Sequence, residues 1–307
     1  MSSSTPLIAA WARSAVVPRD GPFKALHVHD IAAPVLCALL ERAGLDTAHV
    51  NAIVVGNALG AGGNPARMLA LHAGLPQTCA AYTVDTQCCA GLDAVSMGIG
   101  LIASGQAQVV IAGGVEAWSR SPIRMHRPLH ASEEAVAYER PAFAPTPKQD
   151  PDMLLSAARY AAHHGYTRAQ QEAYALHSHQ CALDSQADMA AEIVAVAGVM
   201  HDTYPRSIDA ARAQRMPAVA CSDQPATESA AAFALSALTV SAQADGAAFV
   251  LLLSSSAASR LGVQPQASIV ATASVGSAPE TPLLAAELAA REALTRAGLT
   301  DSNSLQY

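Results

Sequence analysis

Hydrophobic residues in this chain fall into short unbroken runs, separated by stretches in which they recur at helical spacing. Residues 50–56 and 80–84 are predicted strands, and residues 109–112 are apolar without alternation, which is typical of a strand buried on both faces of a sheet. Residues 30–43 place apolar side chains on one helical stripe, and residues 92–103 are long enough for about three helical turns. Strands that alternate with helices predict an α/β fold with α-β-α layers and a mixed, mostly parallel sheet.

The ends of the helix predicted at 30–43 are marked by two residue types. Asp30 is the predicted N-cap, because its side chain can accept a backbone N–H of the first turn. Gly44 is the predicted stop, because glycine readily adopts the left-handed conformation that ends many helices.

The chain repeats part of its own pattern near its end. LERAGL at 40–45 recurs as LTRAGL at 294–299, and each copy ends an apolar helix that follows a strand-like run. The second strand is predicted at 267–276 and the second helix at 283–297. This pattern predicts an incomplete second repeat whose next strand would begin at about residue 305.

The pattern changes between residues 120 and 238. Prolines interrupt residues 122–151, and two helices are predicted at 153–165 and 167–187, the second with Thr167 as its cap. We interpret this region as a helical and loop insertion. The predicted domains are then an α/β domain of residues 1–119 and 239–265, an inserted loop domain of 120–238, and the start of a truncated C-terminal repeat at 266–307.

Composition excludes several classes of function. Hydrophobic residues make up 51% of the 307 and charged residues 14%, which excludes a disordered chain. The net charge of -7 and the lack of a basic stripe argue against nucleic acid as a partner. The chain shows no signal peptide and no apolar run long enough to span a bilayer, so we expect a cytoplasmic protein with no membrane partner.

The cysteines and histidines do not show metal-site or disulfide spacing. The six cysteines have no framework pattern and no C-x-x-C, so reduced thiols are expected. The histidine pairs, such as His27/His29 and His163/His164, have no cysteine or carboxylate cluster around them in the sequence. We expect no metal site.

One cysteine stands at a corner between a predicted strand and a predicted helix. Cys88 follows the strand at 80–84, and the helix at 92–103 begins just after it. A thiol reacts as the thiolate, which the N–H groups and the dipole of a helix start favour. Taken from position alone, Cys88 is either a nucleophile or one of the inert small hydrophobic residues that most buried cysteines are.

Three ordered motifs resemble the thiolase family. The segment VDTQCCAGLDAV at 84–95 is similar to the thiolase nucleophile segment, in which a cysteine precedes two small residues, a glycine and a helix. The other two are GNPAR at 63–67, similar to G-x-N-P-A-R, and IAGGVEAWSRSP at 111–122, similar to I-A-G-G-x-E-x-M-S-x-x-P. Asp85 departs from the family, which usually has Asn there; a carboxylate close to the thiol would oppose thiolate formation.

The resemblance implies a thiolase-type acyl-CoA C-acyltransferase in lipid metabolism, with Cys88 as the nucleophile that carries the acyl group as a thioester. The reaction would be Claisen condensation or thiolysis of a 3-oxoacyl-CoA. The coenzyme A thioester would be a substrate, with no permanently bound cofactor. Met153 stands where a family methionine covers the reacting end of the substrate, which makes it a substrate-binding candidate.

Several family motifs are not found in the printed sequence. These are the asparagine of N-E-A-F, the histidine of G-H-P that deprotonates the nucleophile, and the cysteine of C-x-G-x-G. We therefore expect little activity from the 307-residue form alone, and a homo-oligomer or a partner chain that completes the fold. The alternatives are a catalytically inactive thiolase-like binding or assembly subunit and, third, a hydrolase or redox role for Cys88.

Overall fold

The structure is a computed structural model, which describes residues 6–60, 62–222 and 227–299. The strand predicted at about residue 305 lies outside the described residues. The strands are β1 (Leu7–Ser14), β2 (Val17–Pro18), β3 (Ala52–Gly56), β4 (Ala80–Val84), β5 (Val109–Ala117), β6 (Arg124–His126), β7 (Val136–Tyr138), β8 (Ile193–Val194), β9 (Ala218–Ala220), β10 (Leu235–Ser236), β11 (Ala244–Leu253) and β12 (Ala267–Ser268). The α-helices are α1 (Val28–Ala43), α2 (Pro65–His72), α3 (Ala90–Ala103), α4 (Met153–His164), α5 (Arg168–Asp184), α6 (Gln186–Met189), α7 (Ala210–Gln214), α8 (Glu228–Ala231), α9 (Ser255–Leu261) and α10 (Ala285–Arg296).

The chain divides into two compact units. Unit 1 contains the described residues of 1–122, 186–204 and 242–270, and unit 2 contains those of 123–185, 205–241 and 271–307. This division differs from the predicted domains in two main respects. Residues 186–204 belong to unit 1, where β8 pairs with β1, and the described residues from 271 onward group with the inserted region in unit 2. As a division into domains, the predicted boundaries stay a prediction.

Unit 1 is built on an eight-stranded sheet. Its main path runs β12-β1-β11-β5-β3-β4, with β2 added to β11 and β8 added to β1. The pairs β3/β4, β3/β5 and β1/β8 are parallel, and β11 is antiparallel to its neighbours β1, β2 and β5. Because β12 is also antiparallel to β1, six of the eight strands described here share one direction, and β11 and β12 oppose it.

Helices cover both faces of this sheet. Ile53 and Val55 of β3 belong to the core cluster that includes the buried side of α1, α2 and α9. Val54 of the same strand belongs to the second cluster, with Ala94 and Ile102 of α3. The predicted α-β-α layers around a mixed sheet are therefore confirmed, and the apolar runs of β3 and β5 follow from burial on both faces.

Two predictions about local structure were wrong. Helix α1 begins at Val28, and Asp30 lies in its first turn, where its Oδ2 accepts the backbone N–H of His27 at 2.9 Å. The strand predicted at 267–276 is only the two residues of β12, which pair with Leu7 and Ile8. Gly44 ends α1 in the left-handed conformation, as predicted, with a φ of 62°.

In its described residues, unit 2 contains two small two-stranded sheets and five α-helices. Strand β6 pairs with β7, and β9 pairs with β10, both antiparallel. Helix α5 begins at Thr167, whose hydroxyl accepts the backbone N–H of Gln170, so this predicted cap is confirmed. Arg168 and Glu172 form an ion pair at 2.7 Å on α5. In the described part of the chain, no helix is both long enough and apolar enough to cross a bilayer.

Candidate active site

Cys88 lies in the turn that joins β4 to α3. Residues Gln87–Cys89 form one turn of 3₁₀ helix, and α3 continues directly from it at Ala90. The Cys89 N–H donates to the Thr86 carbonyl at 3.3 Å, whereas the Cys88 N–H has no partner within the described residues of unit 1. The thiol of Cys88 is free and exposed. This places the sulfur and an unused N–H donor together at a helix start.

The turn is held by a strained backbone and one carboxylate. Gln87 has a φ of 56°, a left-handed conformation that is uncommon for a residue with a side chain. Asp85 Oδ1 accepts both the backbone N–H and the side-chain Nε2 of Gln87, each at 3.0 Å. Asp85 therefore stabilises the bend that presents Cys88, in the manner of an Asx turn.

Three glycines allow the start of α3 to approach the sheet closely. A Cβ on Gly56, the last residue of β3, would lie 2.4 Å from the carbonyl carbon of Ala90 and 2.5 Å from the Gly91 nitrogen. A Cβ on Gly114 of β5 would lie 3.3 Å from the Gly91 Cα. No side chain fits at Gly56, so glycine there sets the depth at which the helix that follows Cys88 packs.

A polar network crosses the carboxyl ends of β3 and β5. Asn57 Nδ2 donates to Glu116 Oε1 at 2.8 Å and to the Val115 carbonyl at 3.0 Å. Glu116 Oε2 accepts the backbone N–H groups of Ala58 at 3.0 Å and Leu59 at 3.2 Å. Loss of hydration raises the pKa of the Glu116 carboxyl, although these hydrogen bonds act in the opposite direction.

The sequence did not predict this network. Glu116 and Asn57 are 59 positions apart, and the parallel pairing of β3 with β5 brings them together. The signals in the sequence were a carboxylate at the end of an apolar strand, where a charge needs partners, and the match of Glu116 to the glutamate of the I-A-G-G-x-E motif.

No imidazole contacts the Cys88 sulfur within the described residues of unit 1. A cysteine–histidine contact does occur in unit 2, where Cys181 Sγ lies 3.5 Å from His177 Nε2 one turn away on α5.

Met153, the substrate-binding candidate, is the first residue of α4 in unit 2. It is about two-fifths exposed, and Asp152 caps its helix by accepting the backbone N–H groups of Leu154 and Leu155. Met153 lines a cavity of about 200 Å³ together with Phe143, Pro151 and Pro282. The wall around Met153 is therefore largely apolar.

Comparison with known proteins supports the resemblance seen in the motifs. The family described as "Thiolase, N-terminal domain" matches residues 7–256. The chain belongs to the thiolase family. An acetyl-CoA acetyltransferase of Shinella zoogloeoides is 35% identical to it, over 96% of this chain and 77% of that protein. A putative acetyl-CoA C-acetyltransferase of Bacillus subtilis (strain 168), YhfS, is 33% identical over 90% of this chain and 70% of its own length.

A solved thiolase structure agrees with the fold. The crystal structure of the Bacillus anthracis acetyl-CoA acetyltransferase has a TM-score of 0.84 with this chain at 26% identity. The match covers 97% of this chain and 77% of that one. The predicted family and fold are confirmed, and the chain is a thiolase-type acyltransferase. In the described residues of this thiolase, no group of three or more His, Cys, Asp or Glu side chains is placed to hold a metal ion.

Proposed function

We propose that Cys88 is the nucleophile that accepts the acyl group from a coenzyme A thioester. The observation that carries this proposal is the placement of a free, exposed thiol in the turn between β4 and α3, beside an N–H without a partner. The helix dipole favours the thiolate, and the Cys88 N–H is a donor for the oxygen of the tetrahedral intermediate.

The chemistry follows from the thiolate. The Cys88 sulfur attacks the acyl carbonyl carbon, a carbon–sulfur bond forms, and the carbonyl electrons move to the oxygen. When the carbonyl re-forms, the coenzyme A thiolate leaves from a thioester substrate. In thiolysis of a 3-oxoacyl-CoA, the bond between C2 and C3 breaks instead, and C2 of the departing acetyl-CoA takes a proton. A second coenzyme A then removes the acyl group from Cys88.

Met153 is proposed as part of the wall that binds the substrate. Its thioether is adaptable, and Phe143, Pro151 and Pro282 give the cavity in unit 2 an apolar part beside the ion pair of Arg140 with Asp150.

The decisive experiment traps the acyl-enzyme. The purified chain is incubated with acetyl-CoA, quenched in acid, digested and examined by mass spectrometry for an acetyl thioester. We expect the acetyl group on Cys88, its loss in Cys88→Ala, and its retention in the matched neighbour variant Cys89→Ala. An acetyl group that survives Cys88→Ala would remove Cys88 from the mechanism.

The alternative is a thiolase-like binding or assembly subunit without catalysis. The observation that favours it is the lack of an imidazole at the Cys88 sulfur in the described residues of unit 1. It predicts that coenzyme A binds, as measured by calorimetry, while wild-type protein and Cys88→Ala both remain without a thioester.

A homo-oligomer is also proposed, and a cytoplasmic location stays a prediction. Strand β4 lies at the end of the sheet path and pairs only with β3 among the described residues. The Ala80 N–H donates to the Asn51 carbonyl, and the Val84 carbonyl accepts from Asn57, so the backbone groups of these two residues face β3. Because successive residues of a strand point their backbone groups to opposite sides, those of Thr83 face away from the sheet. Met68 and Leu71 on the neighbouring helix α2 are about half exposed. Such an edge with apolar flanks suits a second copy of the chain.

A further inference from the structure

Glu116 sits outside the chemistry proposed for Cys88, yet it binds Asn57, whose backbone N–H donates to the end of the strand that leads to this cysteine. We propose that Glu116, acting through Asn57, positions the turn that presents the Cys88 thiol. The proposal rests on the proposed role of Cys88 as the nucleophile. Glu116 is a positioning residue, because it acts through Asn57 and not on the substrate.

Asn57 is the link between the two strands on either side of it. Strand β3 lies between β4 and β5, and Asn57 directly follows β3. Its backbone N–H donates to the Val84 carbonyl at 3.0 Å, at the end of β4. Its side-chain amide donates to Glu116 and to Val115, at the end of β5. One residue therefore ties the strand that leads into the Cys88 turn to the strand that carries Glu116.

Glu116 fixes the orientation of that link. One carboxylate oxygen accepts from Asn57, and the other accepts from the next two backbone N–H groups, Ala58 and Leu59. Among the described residues of unit 1, Glu116 has no ion-pair partner, so neutral donors alone hold a partly buried carboxylate. Two acceptor oxygens are needed to bind the Asn57 amide on one side and the two backbone N–H groups on the other. Of the side chains that could stand here, a carboxylate is the one that provides two acceptor oxygens.

Movement at Asn57 is transmitted to Cys88 from two sides. Val84 is followed by Asp85, whose carboxylate holds Gln87, the residue before Cys88. Gly56, the residue before Asn57, packs against the backbone of the first turn of α3. The strand before the turn and the helix after it both contact residues 56–57, so the orientation of Asn57 affects where the thiol lies relative to the helix start.

Burial and hydrogen bonds hold the Asn57 side chain in one orientation. Its side chain is 5% exposed, and both hydrogens of its amide are used by Glu116 and Val115. Without the Glu116 acceptor, the amide group would lose a buried hydrogen bond and turn toward another partner. The expected consequence is a displaced turn with the fold otherwise intact.

The test compares Glu116→Gln and Glu116→Asp in the full chain. Glutamine keeps one acceptor oxygen but turns an NH₂ group toward the Asn57 amide, while aspartate keeps the charge and shortens the reach. The readout is the rate of alkylation of each cysteine by iodoacetamide from about pH 6 to about pH 9, followed by peptide mass spectrometry. Cys37 and Cys181, which are exposed, serve as internal references.

Both variants are expected to alkylate Cys88 about tenfold more slowly at about pH 8, because the thiol has left the helix start. Rates at Cys37 and Cys181 should stay unchanged. The matched control is Glu172→Gln, the same substitution at a carboxylate that is 6% exposed and paired with Arg168 in unit 2. It should leave Cys88 unaffected.

Three outcomes overturn the proposal. Faster alkylation in Glu116→Gln would show that Glu116 acts on Cys88 only as a negative charge. Unchanged alkylation in both variants would show that Asn57 holds its place without Glu116. Loss of the far-ultraviolet circular dichroism signal in both variants would assign Glu116 to the stability of the fold. Failure of the proposed function is seen separately, as absence of the acetyl thioester on Cys88 in the wild-type chain.

Discussion

At the scale of single residues, the turn before α3 depends on Asp85 more than its place in the sequence suggests. From the sequence, we expected a carboxylate that would oppose thiolate formation if it lay close to the sulfur. Instead, the structure places Asp85 Oδ1 on the backbone and side-chain nitrogens of Gln87. The contact stabilises a positive φ at Gln87, a conformation that costs roughly 1–2 kcal/mol for residues with a Cβ.

Replacing Asp85 separates its hydrogen bonds from its charge. Asp85→Ala removes both bonds to Gln87 and should lower the free energy of unfolding by about 1 kcal/mol. Asp85→Asn keeps an acceptor oxygen and should cost less. Urea unfolding followed by circular dichroism measures both variants. Equal losses in the two would show that the charge, and not the acceptor, stabilises the turn.

The buried thiol of Cys79 should react with an alkylating reagent at a higher pH than an exposed thiol. Burial raises the pKa of the Cys79 thiol to about 11, while Arg67 acts in the opposite direction. At about pH 8 this thiol should alkylate far more slowly than exposed Cys37, and the difference should narrow as the pH approaches 11. Peptide mass spectrometry after a short pulse of iodoacetamide measures both rates, and equal rates at about pH 8 would contradict the assignment.

The same shift has a consequence for stability. The unfolded chain loses the Cys79 proton at its ordinary pKa of 9.0, whereas the folded chain keeps it until about 11. Above pH 9.0 the folded state therefore binds more protons, and the free energy of unfolding falls as the pH rises toward 11. Cys79→Ala should remove this part of the pH dependence, which denaturant titrations at several pH values would detect.

At the scale of elements, the contact of α3 with β3 and β5 determines where the Cys88 thiol lies. The approach is close because Gly56, Gly91 and Gly114 leave only backbone between the helix and the two strands. Helix α2 is attached to the sheet differently, through side chains. Asn64 caps it and donates to the Ala81 carbonyl, and Thr83 Oγ1 accepts the Ala66 N–H at 3.1 Å.

The close approach at Gly56 predicts a strong effect of one methyl group. In Gly56→Ala the new Cβ meets backbone atoms of Ala90 and Gly91, which cannot move without shifting the helix, so the loss should be about 2 kcal/mol or more. The matched control is Gly100→Ala on the exposed side of α3, where the new Cβ would have no other atom within 4 Å. That change should stabilise the protein by roughly 0.5–1 kcal/mol, because alanine favours a helix.

Urea unfolding of both glycine variants tests the expectation. Cys88 alkylation in Gly56→Ala gives a second readout, which should slow because the start of α3 is displaced. Equal stability in the two variants would show that the sheet yields to the methyl group.

At the scale of the whole molecule, the open edge of β4 is the feature that favours association. The opposite end of the sheet path carries the short strand β12. On β4, by contrast, outward-facing backbone groups lie next to the exposed apolar residues Met68 and Leu71 of α2. An unprotected edge with apolar flanks is a template for pairing with another strand.

Charged substitutions on α2 test this association. The wild-type chain should sediment as an oligomer at micromolar concentration, and Met68→Lys and Leu71→Lys should shift it to the monomer without loss of circular dichroism signal. Val16→Lys is the control, since Val16 is similarly exposed but lies near β1 and β2. A monomeric wild-type chain in analytical ultracentrifugation would contradict the proposed homo-oligomer.

The sequence alone determined the features that depend on neighbouring residues. The buried strands β3 and β5 appear as unbroken apolar runs, α1 and α5 as helical periods with Gly44 and Thr167 at their ends, and Cys88 as a thiol between a strand and a helix. Each of these rests on local periodicity or turn chemistry. The failures were also local: β12 has the composition of a longer strand, but it pairs only with Leu7 and Ile8.

Only the tertiary structure decided which strands are neighbours. Strand β11 lies antiparallel between β1 and β5, and β8 returns to the end of β1. The same strand order sets Asn57 between Val84 and Glu116, and Gly56 against the start of α3. These contacts join residues that are tens of positions apart in the sequence. Strand pairing decides which of these distant residues meet, and the local periodicity of each segment does not contain that information.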